Sequence, residues 1–150
     1  MEEPFDASPR KGGEPLDASP IGGVEIRSAP AGELGLDPDV VVAFCATHGP
    51  AAFVDLETTG LADDPDAEIL EIGVVLFDPG EDSVRTVESL VRPSGPLPRA
   101  VARLTGLSDE DVRDAPRFPD IATLFREVLG GRTLIAHNAA FERAFLTRQL

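Results

Sequence analysis

Phe53-Val54-Asp55-Leu56-Glu57-Thr58-Thr59-Gly60 is an apolar run that carries two carboxylates and ends in a glycine turn. Read as a strand, its side chains alternate between faces, so Asp55 and Glu57 point the same way. They then stand about 6.5 Å apart along the strand. Val54 and Leu56 point to the other face, into a core. Two carboxylates side by side repel each other and resist desolvation unless a positive charge lies between them. A divalent cation fills that role, because hard cations take carboxylate oxygens. An edge strand with a solvated acidic face is the other reading, and this stretch alone leaves both open.

The chain of 150 residues is the size of one domain, and an apolar fraction of 42% suffices for a packed core. Net charge is −14. That excludes binding of nucleic acid by bulk charge, so any such contact is local or bridged by metal. Lys11 is the only lysine among 13 basic residues, so local phosphate contacts would be forked arginine contacts. Cys45 stands alone, which rules out an internal disulfide and a cysteine-based zinc site. A lone thiol suits a reducing cytosol, and the expected localisation is cytoplasmic. Met1-Glu2-Glu3-Pro4 is acidic and has no apolar stretch of a secretory signal. The apolar run Val40 to Ala46 is too short to span a bilayer, so no membrane partner is expected.

Three segments are expected. Residues 1–36 read as a disordered Pro/Gly-rich tail, because they hold few large apolar residues to offset ordering entropy. Within them Pro4-Phe5-Asp6-Ala7-Ser8-Pro9 nearly repeats as Pro15-Leu16-Asp17-Ala18-Ser19-Pro20. A linker is one reading; a docking motif anchored by Phe5 or Leu16 is the other. Residues 37–50 read as a short helical lead-in. Asp37-Pro38 supplies an N-cap and a proline for the first turn, against the β preference of Val40-Val41-Val42. His48 suits the C-terminus of that helix as an exposed cap.

Residues 51–150 carry the main pattern. A first strand spans Ala51 to Thr58. Asp63, Asp64 and Asp66 then lie in a polar loop and lack the terminal bidentate glutamate of a calcium loop. A second strand, Glu68 to Phe77, is apolar on both faces. It turns at Asp78-Pro79-Gly80 into a third strand, Val84 to Arg92, as an antiparallel hairpin. Glu71 inside the second strand reads as a structural acid paired with an arginine. Short helical pieces follow, one capped by Ser108, and then an amphipathic helix from Pro119 to Leu129 that Gly130-Gly131 stops. A fourth strand, Thr133 to Ala136, leads through His137-Asn138 into a helix from Ala139 to Leu150. A helical crossover between the third and fourth strands gives an α/β class: a mixed sheet covered by helices. Asn138 as N-cap and Glu142 one turn on share a face at a helix N-terminus, where an anion or a ligand carboxylate is favoured. Ordinary capping explains them equally well.

Four stretches together resemble the DEDD (DnaQ-like) 3′→5′ exonuclease family, which has a ribonuclease H-like fold and includes the exonuclease domain of the DNA polymerase III epsilon subunit. Phe53 to Gly60 looks like its first motif. Ile69-Leu70-Glu71-Ile72-Gly73 looks like its second strand. Leu104-Thr105-Gly106-Leu107-Ser108 resembles its linking loop, and Ala136-His137-Asn138-Ala139-Ala140-Phe141 its second motif. The resemblance implies that Asp55, Glu57 and Glu142 hold two Mg2+ or Mn2+ ions, with Glu142 where the family usually has aspartate. It implies that Thr58, Thr59 and Leu61 line the pocket for the terminal nucleotide, that Leu104 and Thr105 approach it from a loop, and that Asn138 and Phe141 form the other wall. The implied partners are the 3′ end of single-stranded DNA or RNA and a polymerase or other replication or repair protein.

The family's third motif, a histidine followed five residues later by aspartate, has no match here. His48 and His137 are the only histidines, and Phe53 and Glu142 stand five residues after them. The variant of that motif that uses tyrosine is also absent, since the chain has no tyrosine. The reading is therefore the front part of an exonuclease domain lacking the last strand and helices, and inactive by itself. A non-catalytic nucleic-acid-binding or scaffold module on the same fold is the alternative.

Overall fold

The computed structural model describes residues 22–81 and 83–150. Its strands are β1 (Glu25–Pro30), β2 (Ala51–Thr58), β3 (Ile69–Phe77), β4 (Ser83–Leu90) and β5 (Thr133–Ile135). They form one sheet in the order β1-β4-β3-β2-β5. All neighbours are antiparallel except β5, which runs parallel to β2. The helices are α1 (Pro38–His48), α2 (Arg99–Thr105), α3 (Asp109–Val112), α4 (Phe118–Leu129) and α5 (Ala139–Gln149). The mixed sheet, the antiparallel β2-β3-β4 run and the helical crossover agree with the sequence pattern.

One face of the sheet carries the main core. Val54, Leu56, Ile72, Val74, Leu76 and Val87 meet Phe118, Ile121, Phe125 and Val128 of α4 and Phe145 and Leu146 of α5. The spacing of the four α4 residues puts them on one stripe, which is why that helix forms and where it docks. On the other face α1 covers one end only. Val41 and Cys45 are buried there with Ala51, Phe77 and Val84. Asp37 caps α1 by accepting from the Asp39 N–H at 2.9 Å, and burial of Val41 outweighs the β preference of the valine run.

At Glu57/Thr58 the β2–β3 register slips: Glu57 pairs with Glu71, and Thr58 with Ile69. Leu70 is the extra residue of this bulge. Ile69 joins the main core, whereas Leu70 is buried against Leu97 and Val112 beside α2 and α3. A bulge bends its strand and re-aims side chains, here at the acid-bearing end of β2. Ser108 and Asp111 close a capping box on α3.

Two expectations change. The tail expected over residues 1–36 contains β1, which pairs with β4 from Glu25↔Glu88 to Pro30↔Ser83. Val24 and Ile26 are 0% and 7% exposed and Ala31 is buried, so this short alternating pattern buries enough to order the segment. The two Pro-Phe/Leu-Asp repeats lie outside the described residues. The helix expected over residues 37–50 is present as α1, and its Val41 and Cys45 pack on the sheet. Leu104 and Thr105, expected on a loop, form the last turn of α2, which Gly106 ends at φ 77°.

Candidate active site

Asp55 and Glu57 lie on the sheet face opposite the main core, as the alternation requires. Asp55 is exposed and Glu57 half-buried. Their cross-strand neighbours bring two acids that sequence reasoning did not place there. Glu71 stands directly opposite Glu57. Glu88 stands opposite Gly73, which itself pairs with Asp55. A shallow concavity of about 270 Å³ on this face is lined by Phe53, Asp55, Glu71, Gly73, Glu88 and Ile135. None of the four acids makes an ion pair within 4 Å among the described residues. The arginine partner expected for Glu71 is therefore not found. Burial pushes the Glu71 carboxyl up from its ordinary range, and the charges of Glu57, Glu88 and Asp55 push it further the same way. The alternation of Thr86, Val87 and Glu88 in β4 could have placed Glu88 on this face.

Thr58 and Thr59 shape the turn that follows. The Thr58 hydroxyl donates to the Gly60 carbonyl at 2.7 Å. Thr59 accepts from the Glu68 N–H at 2.8 Å and donates its own N–H to the Glu68 carbonyl. Both hydroxyls thus hold backbone in this state. Leu61 and Leu104 project into solvent, 71% and 85% exposed. Thr105 donates to the Val101 carbonyl at 3.0 Å and accepts from the Leu107 N–H.

Because β5 runs parallel to β2 with Phe53 paired to Ile135, both strands continue toward the same end of the sheet. Asp55 and Glu57 on one, and His137, Asn138 and α5 after the other, leave at that end. Asn138 occupies the N-cap position of α5, but its side chain makes no capping bond. Phe141 packs its ring 4.9 Å from that of Phe145. Glu142 is 6% exposed, and its Oε2 has no hydrogen-bond partner among the described residues. Phe145 and Leu146, three and four residues on, sit in the cluster with Val54 and Leu56. Glu142 therefore belongs to the helix packed on the face away from Asp55. Among the described residues no three His, Cys, Asp or Glu side chains gather as a metal-binding group. The structure brings Asp55 and Glu57 together and does not add Glu142 to them.

The donors nevertheless suit a hard divalent ion. Two carboxylates share one open face, and two more flank them with no arginine or lysine paired to any of the four among the described residues. Carboxylate-only sets of this kind bind magnesium, manganese or calcium. Arg148 fixes α5 against the loop after β2. Its guanidinium donates to the Asp64 and Ala67 carbonyls at 3.1 and 3.2 Å and lies 4.7 Å from the centre of the Phe145 ring. At the opposite end of the sheet, Asp78 binds Arg85 and Arg132 at 2.8 and 2.6 Å. Burial alone would raise the Asp78 carboxyl, but the hydrogen bonds from the two arginines outweigh it and hold it below the ordinary range.

The mixed sheet with an open acidic β2 and helices packed on its other face has a ribonuclease H-like fold. The exonuclease (RNase_T) family model matches residues 52–150, and the chain belongs to that family. It is 36% identical over 107 residues to the DNA polymerase III epsilon subunit of Treponema pallidum, covering 70% of this chain and 49% of that protein. It is 37% identical over 99 residues to the PolC-type DNA polymerase III of Caldanaerobacter subterraneus, covering 66% of this chain and 7% of that one. The chain thus spans at most about half the length of these relatives. Among solved structures, exonuclease X in complex with 5′ overhanging duplex DNA superimposes with TM-score 0.53 and 29% identity over 64% of this chain and 53% of that one. Cell-death related nuclease 4 has TM-score 0.54 at 19% identity over 67% of this chain and 38% of that one, a likeness of fold alone. No helix among the described residues is long and apolar enough to cross a membrane.

Proposed function

We propose that the chain supplies the acidic half of a 3′→5′ exonuclease site that hydrolyses the terminal phosphodiester of a DNA strand. The observation that carries this is the shared open face of Asp55 and Glu57, bordered by Glu71 and Glu88 with no arginine or lysine paired to them among the described residues. In a chain of net charge −14 such a face repels a phosphate backbone unless bound metal reverses its sign. Asp55 and Glu57 are the metal ligands; Glu142, which the structure does not bring to them, is the third that the family resemblance implies. Two divalent ions, magnesium or manganese, supply a nucleophile at neutral pH and stabilise the charge on the leaving oxygen when bound.

The remaining residues bind and orient. Leu61 and Leu104, both exposed, offer apolar surface to the terminal base, and Thr58, Thr59 and Thr105 hold the backbone beneath it. Asn138 and Phe141 form the opposite wall. His48 stacks on Phe44 with ring centres 4.6 Å apart, at the far end of α1 from Glu57, so it does not take the proton from water. His137 is exposed beside Asn138 at the same end of the sheet, but the resemblance does not make it the base, and these 150 residues by themselves should have no appreciable activity. The exonuclease X complex favours DNA over RNA, and the epsilon and PolC relatives favour a polymerase partner.

Calorimetric titration with Mn2+ tests the reading. Asp55→Asn should weaken binding at least tenfold relative to the wild type. Equal binding by both proteins would remove the metal assignment.

A further inference from the structure

Among the described residues, α2 is the helix with no buried residue. It docks through Val101, which with Leu107 packs on Leu70, Leu97 and Val112. Leu70 is the extra residue of the bulge and directly precedes Glu71, so α2 stands against the acid-bearing end of the sheet. Its other side is open. Arg99, Ala100, Arg103 and Leu104 are all exposed. Positions four apart lie one above the other on a helix, so Arg99 and Arg103 form one row and Ala100 and Leu104 a second beside it.

The charge of this region is opposite to that of the chain as a whole. The chain carries 27 acids in 150 residues, yet none falls from Ser89 to Ser108, where Arg92, Arg99 and Arg103 stand. Neither Arg99 nor Arg103 meets a carboxylate within 4 Å among the described residues. The acids that follow on α3 are all engaged elsewhere. Asp109 accepts the Leu97 N–H at 2.8 Å, Glu110 pairs with Arg113 at 3.1 Å, and Asp111 accepts the Ser108 N–H at 2.8 Å. Two forked cations in a row, with their donors open, match a row of phosphates.

We propose that α2 holds the phosphate backbone of the DNA strand whose 3′ end lies at Asp55 and Glu57. Arg99 and Arg103 each fork onto a phosphate upstream of the scissile one, and Leu104 lies against the sugars and bases between. The assignment rests on reading the acidic face as a nuclease site. It answers how a chain of net charge −14 retains a strand beyond its terminal phosphodiester. The contact is direct and does not pass through metal.

Fluorescence anisotropy of a labelled oligothymidylate, titrated with the 150-residue chain in Mn2+ at several salt concentrations, tests this. Arg99→Gln/Arg103→Gln should weaken binding about fivefold or more, with an unchanged urea midpoint. It should also flatten the plot of log affinity against log salt by about 1.4, since each phosphate contact on a single strand adds about 0.7 to that slope. Arg99→Lys/Arg103→Lys should recover most of both. Arg27→Gln/Arg126→Gln removes the same charge from the far edge of the sheet and from α4, and should change affinity less than twofold. Wild-type affinity and salt slope in Arg99→Gln/Arg103→Gln would overturn the proposal. So would an equal loss in the Arg27/Arg126 pair, or no saturable binding by the wild type. Failure of the nuclease-site reading shows separately, as Mn2+ affinity unchanged by Asp55→Asn. Arg99→Gln/Arg103→Gln should leave that Mn2+ affinity as it is in the wild type, and a matching loss of Mn2+ binding would overturn a direct phosphate contact.

Discussion

Replacing Glu71 by glutamine should stabilise the protein at neutral pH. Glu71 faces Glu57 across the β2–β3 ladder, with Glu88 and Asp55 nearby and no cation paired to it among the described residues. Directly opposed residues have Cβ atoms about 5 Å apart. Two charges about 6 Å apart repel by about 0.7 kcal/mol in water and about 1.4 kcal/mol at half that dielectric constant. The half-exposed position and salt screening favour the lower value, so the net gain is about 0.5–1 kcal/mol. The sign with pH follows from the raised carboxyl. Such a group favours the fold below its unfolded pKa, about 4.3, and that contribution is lost as pH rises through the folded pKa. The glutamine variant should then have the higher urea midpoint at pH 7.5 with an unchanged slope, and the gap should close near pH 4. An equal or lower midpoint at pH 7.5 would show that something balances the Glu71 charge, and the account of this face as uncompensated would be wrong.

The far end of the sheet should respond in the opposite sense. Arg132→Met removes bonds to Asp78 and to the Phe77 and Val128 carbonyls. It should cost about 2–3 kcal/mol at pH 7 by urea unfolding. Because the Asp78 carboxyl is held low, its contribution is present above about pH 4 and is lost as pH falls through the folded pKa. The penalty of Arg132→Met should shrink below pH 4, and a pH-independent penalty would remove Asp78 from the explanation. Ile26→Ala should cost about 2–4 kcal/mol, because its side chain is buried in the main core. A thermal scan showing no shift would return residues 24–30 to the status of a tail.

Most of the sheet was legible because its strands carry long, one-sided signals. Ala51 to Thr58 alternates cleanly, Ile69 to Phe77 is apolar throughout, and Pro119 to Leu129 keeps helical spacing. Each of these patterns survives any tertiary context that buries it. β1 was not legible, since Val24-Glu25-Ile26 offers two core residues within a Gly- and Pro-rich stretch. Its order comes from pairing with β4, a partner some sixty residues away. Glu71 was misassigned for a related reason. A buried acid predicts a partner, but the register decides which one, and here it is another acid. A short helical piece was expected before Ser108, but Leu104-Thr105-Gly106 read as a loop, whereas Leu104 and Thr105 end α2 and Gly106 caps it.

The positions that offend ordinary packing rules coincide with the motif stretches. A row of like charges across β2, β3 and β4 costs stability at Glu71. A carboxylate oxygen buried without a partner, as at Glu142, costs roughly 1–3 kcal/mol more. Elsewhere the described chain obeys the rules: Asp78 is paired twice, Glu68 is bonded by Ser94, and Asp37 and Ser108 cap their helices. Exceptions at motif positions are where function is expected. A divalent cation on the open face would screen its repulsion, and Glu142 would gain a partner only if α5 carries it to that ion. On this argument metal binding should stabilise the wild-type fold, and it should stabilise Glu142→Gln less, even though that variant starts from a more stable apo state. A Mn2+-dependent rise in unfolding midpoint equal in the two proteins would refute the link between the buried oxygen and the metal.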